Sequence, residues 1–391
     1  MKSMTRFSQL LNHFPKNAFK KIIANEKADR YLKSFKTWDL LHILLYGQIT
    51  QTKSLRRVIS GFNTHTNSHY HMNTSKVKRS TFSEALSKRS IEPFKQICEV
   101  LMGQFSSKHK KKHKDFISII DSTPITLKSR GYEWALKNRT IRSVGLKIHV
   151  ELNSADDAPM YSNITHPNVN DIVDARTNIE IQKGTTYVVD KGYTDYNWWH
   201  KINESKAFFV TRAKVNIAMK VVKETDVEKK DEAIIQSDQI IHLTNHSPGG
   251  GRKNKYANKD LRMVTIYRED KKPMKILTND FDRSAIEIAN LYKQRWQIEL
   301  FFKWIKQKLK LKTYFGQSEN AIRIQIYTAL ISYLLMKLMQ KASKGWSKLI
   351  DLQTWLQHGL FIKDSINTDY YRRRREKQML IDKLQTTLEF A

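Results

Sequence analysis

Phe116-Ile117-Ser118-Ile119-Ile120-Asp121-Ser122-Thr123 and, further on, Thr186-Tyr187-Val188-Val189-Asp190-Lys191-Gly192-Tyr193 are the stretches on which the reading of the fold turns. Each is a short apolar run closed by an aspartate, the pattern of a buried strand. Between and after them the period alternates. Val144 to Leu152, Met160 to Thr165 and Ala207 to Arg212 read as strands, and Asp171 to Gln182 reads as a helix. That succession predicts an α/β protein whose mixed sheet carries helices on its faces. In open sheets, ligands and catalytic groups collect at the carboxyl ends of strands. A carboxylate at such a tip, with an open loop beyond it, offers a hard divalent cation oxygen ligands and room for retained water. Either aspartate alone is explained equally well as a turn or N-cap residue. The pair is what points to chemistry.

The surroundings divide the chain further. Residues 1–105 are helical in pattern, with an apolar segment from Trp38 to Leu45. Within them Arg79-Ser80-Thr81-Phe82-Ser83-Glu84 reads as a helix start capped by Ser80 or Thr81, and the cations around it suit phosphate contact as well as an ordinary surface helix. Residues 106–114 lack any apolar side chain and read as a basic linker. A first catalytic part follows at 115–214, then a β-rich insertion at 215–280, a long helical pattern at 281–315 and a helical C-terminal region at 316–391.

Lys and Arg number 69 against 38 Asp and Glu, a net charge of +31. Dense basic points lie at Lys108 to Lys114, Arg252 to Lys259 and Arg372 to Lys377. With 40% hydrophobic residues the chain can build real cores, so the charge is the surface of a folded protein that grips a polyanion, as nucleic-acid binders do. One cysteine, Cys98, excludes a disulfide framework and a cysteine-rich zinc site. No signal-peptide pattern opens the chain and no apolar run approaches the roughly 20 residues of a membrane span. The expected location is the cytoplasm. The 13 histidines show no zincin spacing, and Gly249-Gly250-Gly251 lacks the P-loop pattern, so it reads as a hairpin tip.

A third element joins the two aspartates. Tyr292, Arg295, Glu299 and Lys306 recur so that, on one continuous helix at about 100° per residue, they share a face beside an apolar stripe of Ile298, Phe301, Phe302 and Ile305. A solvated face with ion pairs would look the same. A tyrosine and two cations around one glutamate also suit a site that holds phosphate beside a metal-binding carboxylate.

The set Ile120-Asp121-Ser122-Thr123, Asp190-Lys191-Gly192-Tyr193 and Tyr292-x2-Arg295-x3-Glu299-x6-Lys306 closely resembles the DDE transposases of the IS4 insertion-sequence family, down to the spacing of the Y-R-E-K signature. The N-terminal stretch, with Phe7-Ser8-Gln9-Leu10-Leu11 and Arg79-Ser80-Thr81-Phe82, is similar to the helical region that precedes the catalytic domain in one branch of that family. The resemblance implies an RNase H-like core interrupted by the β-rich insertion. It implies that Asp121, Asp190 and Glu299 ligate Mg²⁺, with Mn²⁺ as a substitute and two ions per site. It further implies that Tyr292, Arg295 and Lys306 contact the DNA backbone; Arg79 is the candidate contact in the N-terminal region. Cut-and-paste transposition would then use terminal inverted repeats and target DNA as double-stranded partners, with a homodimer in the synaptic complex. A catalytically silent DNA-binding regulator and a nuclease without strand transfer remain the alternatives.

Overall fold

The computed structural model describes residues 4–109, 116–127, 131–136, 145–227, 231, 234–247, 253–269, 271–308, 314–343 and 345–367, with 371, 375, 376, 378 and 379 beyond them. The chain begins with α1 (Arg6–Leu11), α2 (Lys16–Asn25), α3 (Thr37–Ile49), α4 (Leu55–Thr64), α5 (Thr66–Met72), α6 (Arg79–Lys88) and α7 (Glu92–His109). Next come β1 (Phe116–Thr126), α8 (Glu133–Leu136), β2 (Gly145–Asn153), β3 (Ala158–Thr165), α9 (Asp171–Asn178), β4 (Thr185–Val189), α10 (Tyr196–Glu204) and β5 (Phe208–Arg212). Then follow β6 (Met219–Thr225), β7 (Ile235–Leu243), β8 (Leu261–Ile266), β9 (Met274–Thr278), α11 (Ala285–Gln294), α12 (Trp296–Lys308), α13 (Glu319–Ala342) and α14 (Leu349–Gln357). These elements form two compact units, one of residues 1–101, 129–134 and 304–391, the other of 102–128 and 135–303.

The first unit is helical. Its core is built on α3 and α13, which pack together and are apolar nearly all round, as a helix enclosed by others must be. By length and composition α13 could cross a membrane, at a mean hydropathy of 1.3, but 83% of that window is buried inside the protein, so it serves here as a core helix.

The second unit is built on a nine-stranded sheet of order β3-β2-β1-β4-β5-β9-β8-β7-β6. β1 pairs antiparallel with β2 and parallel with β4, β2 pairs antiparallel with β3, and β4 pairs parallel with β5. That half is the RNase H-like arrangement expected. Residues 219–278 supply β6 to β9, which pair antiparallel and extend the same sheet beyond β5. A buried aromatic set, with Trp199 stacked on Phe209 at 4.9 Å and Tyr256 edge-on to Phe209, fills one face. α11 lies across β4, β5, β8 and β9.

Several local expectations differ from what is observed. β1 does not end at Asp121 but continues to Thr126, paired with β2 alone once β4 has stopped at Val189. The expected long helix is two helices, because Arg295 closes α11 with a tight bond from its N–H to the Tyr292 carbonyl. Tyr292 and Glu299 are therefore not on one continuous helix. The start of α6 falls at Arg79 with Lys78 in the cap position and no side-chain cap, rather than at Ser80 or Thr81. Helix α9 stops at Asn178, and α7 runs through His109, into the stretch read as a linker. The rest of that stretch, the glycine run 249–251 and Arg372 to Arg374 lie outside the described residues.

Candidate active site

The sheet register places the two aspartates side by side. Ile120 pairs with Val189 across the parallel β1–β4 ladder, so Asp121 and Asp190 are the next residues on neighbouring strands, about 5 Å apart at the backbone. Asp121 is not a turn or cap residue; Asp190 stands at the start of a turn, its carbonyl accepting from the Tyr193 N–H at 3.0 Å, but its carboxylate caps nothing. Asp121 lies within a strand and accepts a hydrogen bond from the Ser122 N–H at 2.8 Å; Asp190 precedes a 3₁₀ turn, Lys191–Tyr193, without capping it. Burial pushes the Asp121 carboxyl up to about 6, the Asp190 and Asp171 charges push the same way, and the Ser122 N–H and Arg295 oppose them.

Arg295 links this pair to the glutamate. Its Nη2 lies 2.5 Å from Glu299 Oε1 and its Nη1 3.7 Å from Asp121 Oδ2. The guanidinium also sits over the Tyr292 ring, 5.9 Å from the centroid. Burial raises the Tyr292 hydroxyl above its usual range, Arg295 and Arg212 oppose the shift, and Asp190 adds to it. A bond of 2.7 Å from Ser154 Oγ to Gln294 Oε1 ties the β2–β3 turn to the end of α11. The structure thus brings together Asp121, Asp190, Tyr292, Arg295 and Glu299. Lys306 and Arg79 belong to the helical unit; Lys306 is half-buried in α12, and Arg79 is exposed beside Arg56, Ser80 and Glu84 in an open concavity.

Next to Asp121 lies a group that the sequence reading missed. Ser122 Oγ donates to Asp171 Oδ1 at 2.6 Å, Lys147 Nζ reaches the same oxygen at 3.1 Å, and His149 Nδ1 lies 3.7 Å from it. Asp174 beside them accepts from Asn163 at 2.6 Å and Asn178 at 2.9 Å. His149 is buried and bonds Thr165 Oγ1 at 2.9 Å. No periodicity joins residues drawn from β1, β2 and α9.

The donor set is chemically right for a hard divalent cation: half-buried carboxylates that keep access to solvent. Among the described residues, no three His, Cys, Asp or Glu side chains already surround a point where an ion could sit. Among the described residues, Arg295 is the cation paired with both Asp121 and Glu299.

Residues 112–335 match the family described as Transposase DDE domain, and residues 2–74 match a Domain of unknown function (DUF4372). A Sinorhizobium fredii protein named as transposase y4zB is 38% identical over 67% of this chain and 71% of its own length. A Synechocystis protein named as a transposase for insertion sequence element IS4SA is 28% identical over 71% of this chain and 76% of its own. A Geobacillus stearothermophilus protein named as a transposase for element IS5377 is 28% identical over 58% of each. Among solved structures, a piggyBac transposase synaptic complex with hairpin DNA covers 98% of this chain and 85% of its own at a TM-score of 0.47 and 11% identity. At that level of likeness the strand order remains the firmer statement of the fold.

Proposed function

The chain belongs to the DDE transposases, enzymes that cut and join DNA, and from that premise we propose that Asp121, Asp190 and Glu299 are its catalytic carboxylates and the ligands of its divalent metal. The observation that carries the assignment is the β1–β4 register, which sets Asp121 beside Asp190, together with the Arg295 guanidinium that reaches both Asp121 and Glu299. Mg²⁺ is the ion proposed, with Mn²⁺ as a substitute and two ions per site. When bound, the ions supply neutralising charge for the five-coordinate phosphorus and activate water or a 3′-hydroxyl as nucleophile.

The remaining steps belong to the protein. Arg295 presents a planar fork of donors suited to phosphate oxygens, and the Tyr292 ring beneath it holds its plane. Lys306 adds a backbone contact as a point charge. At Arg79 the uncapped first turn of α6 offers free N–H groups beside a cation, and this suits a second phosphate. Residues 1–105 recognise the terminal inverted repeats of an insertion sequence. Residues 106–114 join that region to the catalytic core, 115–214, 215–280 and 281–315 furnish the core, and 316–391 complete the helical region. Two copies synapse the two ends in the cytoplasm.

The test is incubation of purified protein with labelled duplex carrying the inverted repeat that flanks its coding region, in Mg²⁺ and in EDTA. Metal-dependent cuts at the repeat boundary followed by joined products are expected. Cuts without joining would mark a nuclease, and tight binding without cuts a regulator.

A further inference from the structure

Strand β1 carries Asp121 past the point where its parallel neighbour ends. The last pair of the β1–β4 ladder is Ile120 with Val189, and from Asp121 to Thr126 the strand is paired with β2 alone. A strand held along one edge is free to shear, whereas a metal site needs its ligands fixed to within about 0.5 Å. On the open side a side-chain restraint takes the place of the missing ladder. Successive side chains of a strand point to opposite faces, so Asp121 turns to Arg295 and Ser122 turns to α9. The Ser122 hydroxyl donates to Asp171 Oδ1 at 2.6 Å, and the Ser122 N–H donates to Asp121 Oδ1 at 2.8 Å. One residue thus bonds Asp121 through its backbone and Asp171 through its side chain.

Asp171 is itself anchored. Lys147 on β2 reaches the same carboxylate oxygen at 3.1 Å and the Val169 carbonyl at 2.8 Å, which ties the start of α9 to the sheet. One turn further along, Asp174 is buried and accepts from Asn163 on β3 at 2.6 Å, from the Tyr161 hydroxyl at 3.2 Å and from Asn178 at 2.9 Å. Helix α9 therefore cannot slide over the strands without breaking charge-assisted bonds. Asn170, not Asp171, holds the cap position of α9, and Asp171 spends its oxygen outward on β1 and β2. An acid that only completed its own helix would bond that helix's N–H groups.

We propose, on the reading of Asp121 as a metal ligand, that Asp171 is a positioning residue of the catalytic site: acting through Ser122, it sets where the Asp121 carboxylate stands relative to Asp190, and so how tightly the divalent cation is held. Loss of a partner that orients a metal ligand typically costs about 10–100-fold in metal affinity.

Mn²⁺ binding to the full chain, read from the paramagnetic resonance signal of the free ion, tests this without any turnover. Asp121→Ala comes first and should abolish specific binding; wild-type affinity there would remove the metal assignment itself, and the proposal with it. With that loss established, Asp171→Ala and Ser122→Ala should each weaken Mn²⁺ binding about tenfold. Because both act through one bond, the double variant should also lose about tenfold, not the roughly hundredfold of two independent effects. Ser122→Thr keeps the hydroxyl and should stay within about twofold of the unaltered chain. Binding of the inverted-repeat duplex in EDTA needs the fold but no metal, and should be unchanged throughout. If Asp171→Ala fails to fold, Asp171→Asn enters the cycle in its place, and its smaller loss should vanish in the Ser122→Ala background. Unchanged Mn²⁺ affinity in either single variant, independent losses that add in the double, or a parallel loss of duplex binding overturns the proposal.

Discussion

Replacing Arg262 by methionine should unravel the outer half of the sheet. Arg262 on β8 and Asp238 on β7 are 8% and 4% exposed, with Nε 2.9 Å from Oδ1 and Nη2 2.6 Å from Oδ2. The remaining nitrogen, Nη1, donates to the Asp280 carbonyl at 3.2 Å and to the Arg283 carbonyl. Methionine fills much of the same volume but leaves Asp238 ionised between two strands with no cation. Breaking a buried pair in this way costs about 3–5 kcal/mol, against about 0–1 for an exposed one. Arg262→Met combined with Asp238→Leu removes the stranded charge, leaving only two carbonyls short of a donor, so the double variant should recover about 2 kcal/mol. Because the chain has two units, one global unfolding energy is not defined, and amide hydrogen exchange on β7 and β8 is the right assay. The Arg283 carbonyl immediately precedes the Ser284 cap of α11 and the Asp280 carbonyl lies four residues before it, so cleavage should fall along with exchange protection. A loss within 1 kcal/mol for the single variant, or a double variant as damaged as the sum of its parts, would refute the reasoning.

Other consequences can be checked separately. Gly145 has φ +149°, and a Cβ there would lie 1.9 Å from the Ile125 carbonyl oxygen, so Gly145→Ala should cost at least about 2 kcal/mol and free the β1–β2 amides to exchange; unchanged protection would count against it. Ser284 caps α11 in a reciprocal box with Glu287, and Ser284→Ala should lower the local stability of α11 by about 1 kcal/mol while Ser284→Thr does not, by the same exchange measurement. Lys306→Ala should flatten the salt dependence of DNA binding by about one unit of slope if it makes one phosphate contact. An unchanged slope places Lys306 off the DNA.

What was legible in the sequence followed from local chemistry. The apolar runs before Asp121 and Asp190 announced their strands because a strand enclosed on both sides has no polar alternation, and α13 announced itself in the same way as a helix. The continuation of β1 was hidden by Pro124, which is tolerated because β1 has lost its β4 neighbour by then and a missing N–H costs little at an edge. The break at Arg295 was hidden because that residue keeps helical angles, φ −51° and ψ −27°, and so leaves the hydrophobic period undisturbed. Lys78 replaces Ser80 as the cap of α6 although serine is the better capping residue, a preference too weak to fix a boundary against tertiary packing. The Ser122, Asp171 and His149 side chains come together because segments far apart in the chain meet in space. No spacing rule contains them.

The central claim is that Asp121, Asp190 and Glu299 hold metal, and a change of donor atom tests it most directly. Asp190→Cys should retain binding to the inverted-repeat duplex, lose cleavage in Mg²⁺, and regain it in Mn²⁺, whose tolerance for a sulfur ligand is greater. Asp190→Ala should be inactive in both. Cleavage at the wild-type rate in Mg²⁺ by either variant would contradict the assignment.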